Sequence, residues 1–107
     1  MAAATDPDSP KITMQYRSKG TMIYELECKG GISLDLHVSS NASEDDWRVE
    51  AHNGRAEGAV VLAGSASTAM EALRELGRAW AAEASERGLP RHDWDAVVRV
   101  LHAVRAV

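Results

Sequence analysis

The residues in this chain best suited to chemistry are carboxylates and a histidine set at alternate positions. Glu25, Glu27, Asp35 and His37 are spaced between apolar neighbours in the stretch ELECKGGISLDLH, and Glu50 and Glu57 follow further on. Carboxylate oxygens suit hard cations such as calcium, magnesium or manganese, and a nearby imidazole shifts the preference towards a transition metal. Paired carboxylates also serve acid–base catalysis, but only in a cleft that shifts their pKa values.

What these groups can do depends on the elements that hold them. From Ile12 the apolar residues recur with period two: Ile12, Met14, Tyr16; then Met22, Tyr24, Leu26, Cys28; then Ile32, Leu34, Leu36, Val38; then Trp47, Val49, Ala51. The runs are separated by Ser18-Lys19-Gly20, by Lys29-Gly30-Gly31, and by a polar loop over 39–46. Such alternation between turns is the pattern of half-buried antiparallel strands. Asn53-Gly54 then marks a tight hairpin, since both turn positions need positive φ. A fifth, less regular strand is expected over 55–63, with Gly58 suggesting a bulge.

Three-residue glycine loops would set Cys28 against Ile32, Glu25 against Asp35, and Thr13 against Glu25. Matching Leu36 with Val49 sets Asp35 against Glu50, and the Asn-Gly turn sets Glu50 against Glu57. The expected outcome is a line of four acids across one sheet face, with His37 and Arg48 in one adjoining row and His52 and Arg55 in the other. Like charges directly opposite one another are destabilising, so Glu25, Asp35, Glu50, Glu57 and His37 become metal-ligand candidates. The plainer reading is a solvated face whose acids are neutralised by Arg17, Arg48 and Arg55, the ordinary condition of an open antiparallel sheet. A flat face offers no cleft, so no catalytic residue is assigned.

The period changes at Ser65. Met70, Leu73, Leu76, Gly77, Trp80 and Ala84 recur at three- and four-residue steps, with Thr68 and Glu71 spaced as a capping box and Gly88 as the left-handed stop before Leu89-Pro90. Asp93 is placed to cap a second helix, whose main apolar face is Trp94, Val97, Val98, Leu101 and Val104, widened by Val100, Ala103 and Val107. A helix apolar around most of its girth asks for two partners. Trp94, Val97, Val100, Leu101, Val104 and Val107 are therefore the candidates for an interface with another copy or another protein. Cys28 shares the apolar parity of its strand and reads as a buried structural thiol. Trp80 and Trp94 read as locks holding the helices to the sheet.

The expected fold is thus α+β: a five-stranded antiparallel meander sheet followed by two C-terminal helices packed on one face. It occupies 11–107 as a single domain, behind a disordered N-terminal tail over 1–10 that is rich in Ala, Asp, Ser and Pro. The 107-residue length and 45% hydrophobic content fit one core. The single cysteine excludes an internal disulfide and a cysteine-based zinc site. A net charge of -4 disfavours partners bound through phosphates. No glycine turn precedes a helix as a phosphate loop must, and neither HExxH nor a serine elbow occurs, so no cofactor is expected. No run approaches the ~20 apolar residues of a membrane span. The segment MAAATDPDSP lacks the basic flank and apolar core of a secretory signal, giving a cytoplasmic expectation.

The first functional reading is a small non-enzymatic binding or assembly module, homodimeric through the last helix or an edge strand. Strands followed by helices resemble the layout of Whirly-type single-strand nucleic-acid binders, which implies a nucleic-acid-binding regulator as an alternative. The few aromatics and many acids of the open face count against base stacking there. The second alternative is a divalent-metal-binding protein that uses the acidic row.

Overall fold

The computed structural model describes residues 9–52 and 60–107. Five strands, β1 (Lys11–Ser18), β2 (Thr21–Glu27), β3 (Ser33–Ser40), β4 (Trp47–His52) and β5 (Val60–Ala66), form one antiparallel sheet in chain order. Two helices follow, α1 (Ala69–Arg87) and α2 (Trp94–Ala103). This is the α+β meander with C-terminal helices that the periodicities imply. Helix α1 lies across β5, β4 and β3, and α2 packs against α1.

Each element has a local cause. Lys19 and Gly20 both take positive φ (51° and 80°), making a two-residue turn of the kind that matches strand twist. Lys29–Gly31 forms a single 3-10 turn closed by the Cys28 amide donating to the Ile32 carbonyl at 2.8 Å. Thr68 Oγ1 accepts the Glu71 amide to start α1. Gly88, at φ 66°, ends it, with its own amide reaching Ser85 O and the Leu89 amide reaching Ala84 O. Asp93 caps α2 by accepting the Ala96 amide at 3.1 Å.

The core lies between the sheet and the helices. Leu26, Leu34, Leu36, Val49 and Ala51 from the strands meet Leu73, Leu76, Val97 and Leu101 from the helices, all at most 2% exposed. Burying a Leu or Val side chain removes apolar surface worth about 1.5–3 kcal/mol, so this layer is the main source of stability. Gly64 on β5 lets α1 approach its backbone, because a Cβ there would collide with the Ala72 carbonyl and the Leu76 amide. Gly77 does the same for the helix pair, its missing Cβ leaving room for Trp94, whose Cβ and Cγ would otherwise stand 3.1 Å away.

The first correction concerns β1. The two-residue turn pairs Ser18 with Thr21 and brings Met14, not Thr13, opposite Glu25. A bulge between Ile12 and Met14 absorbs the difference, and the Thr13 hydroxyl donates to the Glu25 carbonyl at 3.1 Å. Met14 and Tyr16 are thereby turned away from the core face, 54% and 41% exposed. Of the N-terminal segment, residues 1–8 lie outside the described residues, while Pro10 is buried just before β1. The Asn53-Gly54 turn and Gly58 also lie outside them, and β5 runs over Val60–Ala66 where 55–63 was expected.

Candidate metal centre

The sheet face away from the helices is built as two central rows. Tyr16, Ile23, His37, Glu50 and Ala63 stand opposite one another in turn across β1 to β5, and Met14, Glu25, Asp35 and His52 form the row beside them. Glu25 does face Asp35. The rest of the expected acidic line is not formed. Asp35 pairs with His52, not Glu50, while Glu50 pairs with His37 on one side and Ala63 on the other. Glu57, expected opposite Glu50, lies outside the described residues.

The cause is a two-residue shift between β3 and β4. Val38 meets Val49 and Leu36 meets Ala51, where Leu36 against Val49 was expected. Either register keeps every apolar residue on the core side, because strand side chains repeat every two residues. The loop decides between them. The Asn41 side-chain oxygen accepts the amides of Asp45 and Asp46, and the Asn41 amide donates to the Asp46 carbonyl. That closure lets β3 and β4 stay paired out to Ser40 and Trp47.

The shift mixes acids and imidazoles into one cluster. His37, Glu50 and His52, all half-buried, offer ligand atoms within 4.8 Å of one another. His52 Nε2 lies 3.4 Å from Glu50 Oε1, and Arg48 Nε donates to Glu50 Oε2 at 2.8 Å. Two ligands of a tetrahedral zinc, bonded at about 2.0–2.1 Å, stand roughly 3.3–3.4 Å apart, the separation found between His52 and Glu50. The His37 and His52 rings are stacked, with centroids 3.7 Å apart and planes 16° from parallel. Imidazole lone pairs lie in the ring planes, and planes so nearly parallel converge only on the order of 10 Å away, far beyond a metal–nitrogen bond. Chelation by both rings therefore requires one of them to swing out of the stack.

The charge states suit a ligand set at neutral pH. Burial, and then His52, hold His37 below the ordinary imidazole pKa, against the pull of Glu50. Burial pushes Glu50 upward, but Arg48 and His52 outweigh it and keep the carboxyl below its usual range. Burial and the Glu25 charge raise the Asp35 carboxyl, partly offset by His52. The cluster thus presents a neutral His37 beside an ionised Glu50.

His52, expected only in a row beside the acidic line, joins the cluster as a ligand candidate. The signal was present: Glu50 and His52, two apart on a strand, must share a face. The expected register set His52 in a row apart from His37, and the two-residue shift brings them together. Glu25 and Asp35 stand one row from Glu50 and outside the three-residue cluster.

The interface candidates divide sharply. Val97 and Leu101 are fully buried in the chain's own core. Trp94 is half-buried against Gly77 and Trp80, and Val100 and Val107 are half-buried. Helix α2 ends at Ala103, leaving Val104 as the cap residue, 47% exposed. Cys28 is half-buried in a depression it shares with His92 and Asp93. Burial raises its thiol pKa, opposite to what a nucleophile needs, and the Asp93 carboxylate is occupied in capping α2. No helix among the described residues is long and apolar enough to cross a membrane. Comparison with family models, curated proteins and solved structures returns no match.

Proposed function

We infer that the protein is a divalent transition-metal-binding module whose ligands are His37, Glu50 and His52. One observation carries the reading: three potential ligands of the right chemistry converge within 4.8 Å on adjacent strands of one sheet. Two imidazoles and a carboxylate favour zinc, nickel, copper or iron over calcium and magnesium, which prefer oxygen ligands. Binding would break the His37–His52 stack and draw Glu50 away from Arg48. That rearrangement weakens affinity relative to a pre-formed site and makes it steeply dependent on pH, since protons compete for the same nitrogens. The shallow sheet face favours binding over catalysis.

Calorimetric titration with zinc and nickel, paired with histidine-ring NMR, tests this. Saturable binding with shifts confined to His37 and His52 is expected, weakened about tenfold or more by His37→Ala or His52→Ala. Silence of both rings towards zinc, nickel and copper at roughly 1 mM would sink the reading.

A second reading, self-association or docking of another protein, is supported by the exposed Met14 and Tyr16 beside this cluster and by Val104 at the end of α2. Light scattering coupled to size exclusion separates it: a monomer at every concentration removes the homodimer.

A further inference from the structure

The sheet has two edge strands, and the fold treats them differently. β5 lies beneath α1, which approaches the backbone of Gly64 closely enough to exclude a Cβ. β1 has β2 on one side and no strand on the other, at the far end of the sheet from the α1 contact. All residues from Thr13 to Ser18 are exposed. Residues 11–18 make no backbone hydrogen bond outside the sheet ladder among the described residues. An edge strand in this state presents an unpaired row of N–H and C=O groups, a template for one more strand.

The side chains along this edge are sorted by face. Met14 and Tyr16 stand on the open face, 54% and 41% exposed, with Tyr16 opposite the buried Ile23. Gln15 and Arg17 stand on the other face, opposite Tyr24 and Met22. The bulge lies between Ile12 and Met14, so the pairing from Met14 to Ser18 is regular. Every charge on β1 and its turn is positive: Lys11, Arg17 and Lys19. None of the three forms an ion pair among the described residues. On β2, Glu27 stands opposite Lys11 and Glu25 opposite Met14, which leaves the Arg17–Lys19 end without a facing acid. Cations on an edge oppose pairing with a like-charged strand, so a second copy adding its own β1 meets repulsion. The same charges admit an acidic strand and reject a basic one.

We propose that the β1 edge takes up an extended segment of another protein in which apolar and acidic residues alternate. Main-chain hydrogen bonds to β1 supply the pairing, and side chains at alternate positions supply the selection. The apolar side chains of the segment lie on the open face against Met14 and Tyr16. Its acids lie on the other face, against Arg17. Such uptake rests on the docking reading above and gives it a place and a partner chemistry. Metal binding at His37, Glu50 and His52, on β3 and β4, is independent of it.

Amide NMR on the full chain, titrated with the end-blocked peptide Val-Asp-Ile-Glu-Val-Asp-Val, tests this. Saturable shifts and slowed amide exchange centred on residues 13–19 are expected, with a Kd on the order of 0.1 mM. Replacing the peptide's acids by lysine should weaken binding at least about tenfold, and so should Arg17→Glu, an exposed change outside the core. N-methylation of the peptide amides, which removes the ladder donors and keeps the side-chain charges, should abolish binding. Equal binding by the lysine or the N-methylated peptide overturns the proposal, as does silence of β1 up to about 2 mM peptide. Shifts centred on Val104 instead would preserve the docking reading and end this one. Concentration-dependent shifts of residues 13–19 without peptide would also overturn it, assigning the edge to a second copy.

Discussion

The two faces of the sheet obey different rules. On the helix side, Leu36 and Val49 are fully buried, and their neighbours are set by volume. On the other side, His37 and Glu50 occupy the same strands and alternate with those residues, yet they are only half-buried and set by charge and hydrogen bonding. Each core residue must be apolar and of the right size, which is a strong and local demand. The open face must only be tolerable in water, so its composition is free to carry chemistry. A cluster of two imidazoles and a carboxylate on that face is therefore more informative than any residue of the core.

The sharpest way to break this comparison is at Gly64, where the helix side allows no side chain at all. Gly64→Val should cost roughly 4 kcal/mol or more, or prevent folding, because Ala72 and Leu76 of the α1 backbone would have to move. Leu36→Ala should cost about 2–5 kcal/mol, the range for a fully buried leucine, whereas His37→Ala, its neighbour on the opposite face, should cost under about 1 kcal/mol. Urea titrations of the three variants measure all of this. Equal costs at 36 and 37 would mean that the open face is covered by something in solution. Thr68→Ala should follow at about 1 kcal/mol through loss of the α1 cap.

The same contrast explains what could be read from the sequence. Strand parity from β2 to β4, the Thr68 and Asp93 caps and the Gly88 stop are local signals, and each is found where the pattern places it. Register is not local. The β3–β4 pairing depends on how Asn41 closes its loop, and a two-residue shift leaves the apolar pattern unchanged while exchanging every neighbour on the open face. The acidic line was lost to that shift, and the His52 contribution was gained by it. The bulge at Thr13 is a similar case: it exchanges the faces of Met14 and Tyr16 without altering the composition of β1. The apolar girth of α2 divides in the fold: Val97 and Leu101 serve the chain's own core, while Val104 is exposed.

Smaller effects distinguish the faces through pH. His92 on the helix side is held below the ordinary value of 6.5 by burial, and His37 on the open face by burial and His52. Unfolding releases both, so below about pH 6.5 the unfolded chain binds more protons than the fold does. Stability should therefore fall as pH drops from 7 through 6.5, and level off once the folded rings protonate. Thermal melts across that window should show a shallower slope for His92→Gln and, separately, for His37→Gln; an unchanged slope in both would mean that neither ring is withheld from protons.

The smallest effect is expected at Arg48. Its ion pair with Glu50 is half exposed at the arginine end, so Arg48→Ala should change stability by under about 0.5 kcal/mol. Its consequence for the cluster runs the other way. Without Arg48, Glu50 loses its 2.8 Å donor, its carboxyl pKa rises towards the usual range, and the carboxylate is free to turn towards a metal. If His37, Glu50 and His52 act together, zinc should bind Arg48→Ala at least as tightly as the unaltered chain at neutral pH, where Glu50 remains ionised. A marked loss of zinc affinity in that variant would show that the guanidinium orients Glu50 for the metal rather than competing with it.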